Sequence, residues 1–280
     1  MRPSSPPINA LTFDIEDWHE LAQRRLYGAR VAPRPETIGN TRRILALLRR
    51  HDVRATFFLV GSTAAALPDL VREIAAEGHE IGNHGYDHRR IPELSHAQFA
   101  DDLEACSATL QSLTEQAITG FRAPHLSLQP SDAWAYLALA AAGIRYDSSV
   151  LARGTHLPHA VGDSSVTELP IATLRLGPRR VPVGGGFLRF LPPHVIRLAL
   201  RRINEAGEPA TVFLHPHDFA PDTLRIEARG SRPRGQAQLM LWTVRRNFRR
   251  GGPVERLLDS LIGEFRFAPA SEVVEAWRAV

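Results

Sequence analysis

The segment RATFFLVGSTAAALPDLVREIAAEGHEIGNHGYDH, from Arg54 to His88, decides the fold. Its first part, RATFFLV, is dense in β-branched and aromatic residues and predicts a strand. The next part, LPDLVREIAAEG, predicts a helix with Pro68 in its first turn and Gly78 as its stop signal. HEIGNH predicts a second strand, which runs into two histidines. A strand, a helix and a second strand in this order form the unit from which parallel sheets are built.

The same alternation continues along the rest of the chain. Further strands are predicted at Ile8–Ile15, Ile118–Pro124, Ile144–Val150 and Pro209–Phe219. Helices are predicted at Glu36–His51, Ser95–Thr114, Ser131–Gly143, Pro193–Gly207 and Pro253–Phe265. A looser region rich in proline and glycine occupies 152–192. Alternation at this density implies an α/β fold with a parallel sheet, closed or nearly closed, and helices outside it.

The composition suits one large α/β domain. The chain has 280 residues, of which 44% are hydrophobic and 23% charged, as in globular proteins with a sizeable core. A single cysteine, Cys106, excludes both an intramolecular disulfide and a thiolate metal cage. We therefore expect one catalytic domain over 1–280, with a C-terminal helical extension over 219–280.

All the basic residues are arginine, and the net charge of +4 gives no reason to expect a nucleic-acid partner. Two arginine clusters, at Arg179–Pro182 and Arg245–Gly252, leave open a peripheral association with the inner membrane face. A solvated surface explains these clusters more simply. The chain has neither a signal-peptide core nor an apolar run long enough to cross a bilayer, so we expect a cytoplasmic protein.

Ionisable residues collect at the C-terminal ends of successive predicted strands. In parallel α/β folds the catalytic and binding residues lie at this edge of the sheet, because every parallel strand ends there. Such a concentration is not expected by chance and predicts a catalytic centre. The residues are Asp14, Glu16, Asp17, His84, His88, Arg122, Asp147, His215, His217 and Asp218.

His84 and His88 have the chemistry of a metal-binding pair. A catalytic zinc takes three nitrogen or oxygen ligands from the protein and leaves a fourth position for water. The two imidazoles and one carboxylate from the acidic group after the first strand would meet that count. A metal held there polarises a carbonyl group and lowers the pKa of bound water. Asp14 is then left as general base, oriented by Arg122, and His215 is the candidate general acid.

Five motifs in this order resemble those of the polysaccharide deacetylases, carbohydrate esterase family 4 of the NodB type. They lie between Asn9 and Asp218 and read TFDIEDW, NHGYDH, GFRAP, RYDSS and FLHPHD. The resemblance implies a distorted parallel (β/α) barrel of about seven strands. The segments GGGFLRFLP and LIGEFRFAPASEV are similar to those of the subgroup associated with bacterial exopolysaccharide and exosortase loci.

The resemblance also implies a role for each matching residue. Asp14 corresponds to the catalytic base, and Arg122 to the arginine that pairs with it. His84 and His88 correspond to the metal ligands. His215 corresponds to the general acid, and Asp147 to the aspartate that tunes it.

The first motif departs from the commonest form of the family. DIED stands where two adjacent aspartates followed by glycine are usual. Side chains two positions apart on a strand share a face, so Glu16 is one candidate for the third metal ligand. Asp17 is the other, if the strand has already turned into a loop. Some relatives with this form of the motif hydrolyse small cyclic amides, and some work without metal.

The pattern favours a hydrolase that removes N-acetyl groups from acetamido sugars of a bacterial polysaccharide or its lipid-linked precursor. Its cofactor is expected to be a divalent metal, with zinc favoured over cobalt or nickel. His125 and His217 are candidate contacts to the N-acetylated glycan. Two alternatives stay open: a hydrolase of the same fold that opens cyclic imides or ureides, and a non-catalytic glycan-binding protein.

Overall fold

The computed structural model describes residues 6–226, 243–244 and 247–279, so the first two positions of the Arg245–Gly252 cluster lie outside it. The strands are β1 (Asn9–Ile15), β2 (Thr56–Leu59), β3 (Glu80–Asn83), β4 (Gly120–Phe121), β5 (Tyr146–Asp147), β6 (His159–Ala160), β7 (Thr167–Glu168), β8 (Thr173–Leu176), β9 (Arg179–Pro182), β10 (Thr211–Leu214) and β11 (Phe267–Ala268).

The α-helices lie between these strands and after them. They are α1 (Trp18–Tyr27), α2 (Pro35–Arg50), α3 (Gly61–Ala66), α4 (Pro68–Ala76), α5 (His96–Thr114), α6 (Ala133–Ala141), α7 (Gly186–Phe190), α8 (Pro193–Glu205), α9 (Gly252–Glu264) and α10 (Ala270–Arg278). In the described ranges, no helix has both the length and the apolar character that a membrane span requires.

The main sheet has the strand order β10-β1-β2-β3-β4-β5-β7-β6. Every neighbouring pair from β10 to β7 is parallel, and only β6 runs antiparallel at the edge. Seven parallel strands curled among helices confirm the predicted α/β fold with about seven strands. The quoted segment forms the strand–helix–strand unit at its centre, with Phe57 of β2 in register with Ile81 of β3.

The chain segment after β7 brings the two edges of the sheet together. Leu169 N donates to Asp147 O at the end of β5 at 2.7 Å, and Ala172 N donates to Thr211 O of β10 at 3.0 Å. Three residues further along the chain, the backbone has therefore passed from one edge of the sheet to the other. This crossing nearly closes the barrel.

The alternation of side chains along β1 positions the site. Leu11, Phe13 and Ile15 are fully buried and belong to the main hydrophobic core. The intervening Thr12 and Asp14 are also buried, but they contact the side chain of Arg122 rather than the core. Since successive strand residues point to opposite faces, one face of β1 packs into the hydrophobic core and the other presents polar side chains to the site.

Three parts of the fold were not predicted correctly. Helix α1 starts at Trp18, the last residue of the first motif, where no helix was expected, and is capped by Gly28 in the left-handed conformation (φ 66°). The looser region contains the antiparallel hairpin β8–β9. The C-terminal region is not only helical, because β11 pairs in parallel with β1. The organisation as one domain stays a prediction.

Candidate active site

Asp14 and Arg122 form a buried ion pair at the C-terminal edge of the sheet. Asp14 lies near the end of β1, and Arg122 directly follows β4. Arg122 Nη1 lies 2.7 Å from Asp14 Oδ1, and the two residues are 0% and 3% exposed. A buried charge is stable only when it is paired and hydrogen-bonded. This contact therefore compensates the burial of both groups and fixes one of the two carboxylate oxygens of Asp14.

Three further N–H groups of Arg122 also donate hydrogen bonds. Nη1 donates to Thr12 Oγ1 at 2.8 Å, while Nε and Nη2 donate to the carbonyl oxygen and the hydroxyl of Ser148 at 2.8 and 2.9 Å. The guanidinium also stacks over the ring of Phe58, 4.4 Å from its centroid. The planar fork of arginine matches this set of acceptors, so the ion pair is rigidly oriented.

Glu16, His84 and His88 come together as a candidate metal site. Each offers one ligand atom, and the three atoms lie within 4.8 Å of one another. His88 Nε2 is 2.9 Å from Glu16 Oε2. Burial alone would raise the pKa of Glu16, but the charge of His88 and its hydrogen bond outweigh that effect and place the pKa well below its ordinary value. Glu16 is therefore a carboxylate.

The orientation of His84 fits a metal. Its Nδ1 lies 2.7 Å from the carbonyl oxygen of Arg122, so Nδ1 carries the proton and Nε2 keeps a lone pair. Burial lowers the pKa of His84 to about 4, which keeps the ring neutral. Metal-bound histidines commonly donate their second ring nitrogen to a carbonyl in this way. The loop permits the geometry because Gly85 and His88 are left-handed, at φ 72° and 52°.

Asp17, the other candidate for the third ligand, has a different role. Its Oδ1 accepts from Glu20 N at 2.7 Å and caps the N-terminus of α1. Its Oδ2 accepts from Arg34 N at 2.9 Å and from Thr37 Oγ1 at 2.6 Å. Both carboxylate oxygens of Asp17 therefore accept hydrogen bonds from neighbouring parts of the fold. The structure brings Glu16, and not Asp17, to the histidines, because the strand alternation continues for one residue beyond β1.

His215 faces Asp14 from the opposite side of the site. Its Nε2 lies 3.9 Å from Asp14 Oδ2, and its Nδ1 lies 3.3 Å from Asp218 Oδ2. Burial alone would lower the pKa of His215. The hydrogen bond with Asp218 and the nearby carboxylates, including Glu16, more than offset it, so the pKa is raised. Arg189 completes the chain of contacts, with Nε 3.0 Å from Asp218 Oδ1.

Asp147 does not have the position that the family resemblance implied. Among the described residues, no hydrogen bond or ion pair joins it to His215. It is fully buried and accepts a hydrogen bond from Ser149 Oγ at 2.6 Å. It also belongs to a group with Glu168 and Tyr136, whose hydroxyl lies 3.2 Å from Glu168 Oε2. Burial raises the pKa of both carboxyl groups. The carboxylate that tunes His215 is therefore that of Asp218.

These groups open into a cleft with a volume of about 760 Å³. His125 lines it, with its ring centroid 4.7 Å from that of His88. His217 does not line it: that residue is 4% exposed, and its ring stacks on His215 at 4.8 Å. The lining residues are Asp14, Glu16, Leu21, Arg24, Arg25, His84, His88, Arg90, Glu93, Ala123, His125, Leu126, Phe213 and His215.

Two site residues were not assigned from the sequence. Asp218 was included among the ionisable residues at the strand ends without a specific role. Its spacing from His215 in HPHD is a signal, because a side chain three positions further along a turn can contact the earlier residue. Arg189 gave no such signal. It lies in the short helix α7, and only the tertiary fold brings its side chain to Asp218.

Comparison with known families agrees with this geometry. The sequence model of the family described as polysaccharide deacetylase matches residues 2–146, which is slightly more than half of the chain. A second model, described as a domain of unknown function (DUF3473), matches residues 144–275. The first match contains β1 to β4 with Asp14, His84, His88 and Arg122. The second contains His215, Asp218 and Arg189.

Individual relatives match over shorter stretches. A peptidoglycan-N-acetylglucosamine deacetylase of Bacillus cereus is 36% identical over 85 residues, 30% of this chain and 31% of that protein. A chitooligosaccharide deacetylase of a Bradyrhizobium species is 36% identical over 83 residues, 29% of this chain and 38% of that protein. The aligned stretches span only about a third of the curated relatives' length.

The fold itself is shared over nearly the whole chain. A crystal structure described as a polysaccharide deacetylase from Mycobacterium smegmatis superimposes with a TM-score of 0.70 at 21% identity, covering 99% of this chain and 92% of that one. At this identity the likeness concerns the fold alone. Together with the family match over residues 2–146, it leads to one conclusion: the chain belongs to the polysaccharide deacetylase family.

Proposed function

We propose that this protein is a metal-dependent hydrolase that removes N-acetyl groups from acetamido sugars of a bacterial glycan. The observation that carries the proposal is the position of Asp14 between Arg122, at 2.7 Å, and His215, at 3.9 Å. Asp14 and His215 both line the cleft that holds the Glu16, His84 and His88 cluster, and Arg122 supports Asp14 from below the surface. The relatives whose names specify N-acetylglucosamine or chitooligosaccharide support the same substrate class.

The cluster supplies the ligands that a divalent metal needs. A zinc ion held by Glu16, His84 and His88, or a cobalt or nickel ion in its place, would supply Lewis acidity towards the amide carbonyl and lower the pKa of a water molecule. Both histidine rings come from one loop, and His84 is oriented by the Arg122 carbonyl. The protein thus prearranges the donors before any ion enters.

Asp14 acts as the general base. Arg122 occupies Oδ1, which leaves Oδ2 facing the cleft towards His215. A carboxylate oxygen held in one orientation accepts a proton from the attacking water without reorganising. The water oxygen then bonds to the amide carbon.

His215 acts as the general acid. Asp218 holds its Nδ1, so Nε2 is the nitrogen that faces the reacting groups. The raised pKa keeps this ring protonated to higher pH than an ordinary histidine. His215 transfers its Nε2 proton to the sugar nitrogen as the carbon–nitrogen bond breaks. The products are acetate and a free amino sugar.

Acetate release tests this function against both alternatives. Purified protein, reloaded with zinc, is incubated with N-acetylated chitooligosaccharides and peptidoglycan fragments, and free acetate is measured enzymatically. Asp14→Asn is the matched variant, and its fold is checked by circular dichroism. We expect release from wild type and a loss of about 10³-fold in the variant.

Two other results would contradict the proposal. Ring opening of a cyclic imide or ureide without acetate release would identify a small-amide hydrolase of the same fold. Glycan binding that is equal in wild type and Asp14→Asn, with no product from either, would identify a binding protein.

A further inference from the structure

We propose that the substrate carries an anionic group, a carboxylate or a phosphate, which Arg25 and Arg90 bind at the rim of the cleft. The inference rests on the proposed function and narrows its substrate class. Arg25 lies in the last turn of α1, and Arg90 follows the loop that carries His84 and His88. Both residues line the cleft and are exposed.

The two arginines differ from Arg24, the third arginine of the cleft, in having no partner. Among the described residues, neither Arg25 nor Arg90 forms an ion pair or a side-chain hydrogen bond. Arg24, which lines the same cleft, is held by Glu20 and by the carbonyl oxygen of Asp87. Of the three arginines that line the cleft, Arg25 and Arg90 are therefore the two without a protein partner among the described residues.

The carboxylates inside the cleft do not balance these two charges. Asp14 is paired with Arg122, and Glu16 with His88. One further carboxylate, that of Glu93, lines the cleft. Two arginines opposed by one carboxylate leave the rim positive, and a cleft lined by one sign of charge concentrates ligands of the opposite sign.

His125 connects this rim to the reaction centre. Its ring contacts that of His88, and the charges of Arg25 and Arg90 both act on it. Its backbone is left-handed (φ 57°, ψ 20°), a strained conformation that clusters at ligand-binding sites. An anion bound by the two arginines would therefore lie next to the sugar whose acetamide reaches Asp14. The guanidinium fork suits carboxylate and phosphate oxygens equally well.

The test compares three acetylated substrates of matched length. One is a neutral chitooligosaccharide, the second carries a C6 carboxylate, and the third carries a phosphate. The readout is the ratio of kcat/KM for acetate release, charged over neutral. We expect a ratio of about ten at low salt, because two partly exposed ion pairs contribute modestly, and a fall as salt screens them. Of the two charged substrates, the one with the higher ratio shows whether the arginines prefer a carboxylate or a phosphate.

The variant Arg25→Gln/Arg90→Gln should bring the ratio close to one. Arg43→Gln removes an exposed arginine of α2 outside the cleft and should leave the ratio unchanged. A wild-type ratio near one, or a ratio that the double variant does not alter, would overturn the inference.

Binding of the same glycans to Asp14→Asn protein, measured by calorimetry, separates the inference from the proposed function. If no substrate releases acetate but the charged glycan still binds more tightly, and loses that advantage in Asp14→Asn/Arg25→Gln/Arg90→Gln, the anion site stands and the deacetylase proposal fails. If all glycans bind equally, the anion site fails.

Discussion

Asp218 Oδ2 lies 3.3 Å from Nδ1 of His215 and 3.0 Å from its backbone nitrogen. One carboxylate oxygen thus holds both the ring and the turn that carries it. The other oxygen faces Nε of the buried Arg189 at 3.0 Å. This arrangement fixes the tautomer of His215, because Nδ1–H donates to Asp218 and leaves Nε2 to the substrate side. A carboxylate behind a catalytic histidine also stabilises the imidazolium form.

Replacing Asp218 with asparagine should move the basic limb of the pH profile to lower pH. A general acid must be protonated, so kcat falls as the pH rises through the pKa of His215. Burial opposes protonation, and the hydrogen bond that His215 donates to Asp218 is the main feature that raises the pKa. Removing the charge therefore lowers it. Steady-state kcat between pH 5 and 10 measures the shift (the range follows from the ordinary histidine value near 6.5).

Asp147→Asn is the matched control for this experiment. The family resemblance implied that Asp147 tunes the histidine, whereas the structure gives that contact to Asp218. In Asp147→Asn the basic limb should therefore stay at the same pH, even if the maximum kcat changes. A shift in Asp147→Asn with none in Asp218→Asn would show that the resemblance was the better guide.

The barrel and most of its catalytic edge could be predicted from sequence because both depend on local patterns. In the quoted segment Arg54–His88, the residue composition and the proline and glycine signals are enough to predict a strand, a helix and a strand. Parallel strands point towards one edge, so the residues that follow them must meet there. Asp14, Arg122 and His215 were identified by this argument, and the structure brings them together.

What could not be predicted depends on the direction of individual side chains. Glu16 and Asp17 are adjacent, and the choice between them depends on where the strand alternation of β1 gives way to α1. Asp147 ends β5, and Asp218 lies in the turn that follows β10. The spacing in HPHD allows Asp218 to contact His215, but only tertiary packing excludes Asp147 from that contact. Arg189 comes from the loose region, where neither periodicity nor spacing indicates a partner.

Glu16→Ala should abolish metal binding, whereas Asp17→Ala should keep it. Glu16 supplies the carboxylate of the cluster, and Asp17 caps α1. Elemental analysis of protein reloaded with zinc should give about one ion per chain for wild type and Asp17→Ala, and almost none for Glu16→Ala or His88→Ala. Loss of the cap should instead cost about 1 kcal/mol of unfolding free energy, measured by urea denaturation.

His159→Ala is a useful control for nonspecific zinc binding, because His159 is exposed on β6, away from the cluster. Its metal content should equal that of wild type. Wild-type zinc content in Glu16→Ala would contradict the assignment of the third ligand. Equal loss of metal in Asp17→Ala and Glu16→Ala, with both variants folded, would contradict the separation of their roles.

Arg122→Lys should destabilise the fold and suppress activity together. Lysine keeps the positive charge, but it cannot reach Asp14, Thr12 and both acceptors of Ser148 as the guanidinium does. Buried acceptors left without donors cost about 1–3 kcal/mol each, so we expect a loss of about 3 kcal/mol in urea denaturation. Arg43→Lys, on the exposed face of α2, should change neither the free energy of unfolding nor the activity. Full stability in Arg122→Lys would mean that water or neighbouring groups replace the lost donors.

Glu168→Gln should stabilise the protein relative to wild type, by an amount that increases with pH. Glu168 and Asp147 are fully buried neighbours, and burial raises the pKa of both, with the charge of Asp147 adding to the effect on Glu168. A carboxyl group whose folded pKa is raised binds its proton more tightly in the folded state. Its contribution to stability is therefore complete below the unfolded pKa, about 4.3, and is lost as the pH rises through the folded value.

Glutamine removes this titration and keeps the shape of the side chain. Its carbonyl oxygen can still accept from Val150 N, which lies 3.0 Å from Glu168 Oε1, and its amide can still bond the hydroxyl of Tyr136. Urea denaturation of both proteins at several pH values between 5 and 9, on either side of neutrality, gives the free energy of unfolding of the variant minus that of wild type. The difference should be positive and rise with pH until Glu168 is ionised in folded wild type. A difference that is constant over this range would mean that Glu168 has no raised pKa in the folded protein, and a negative one would mean that the ionised pair stabilises the barrel.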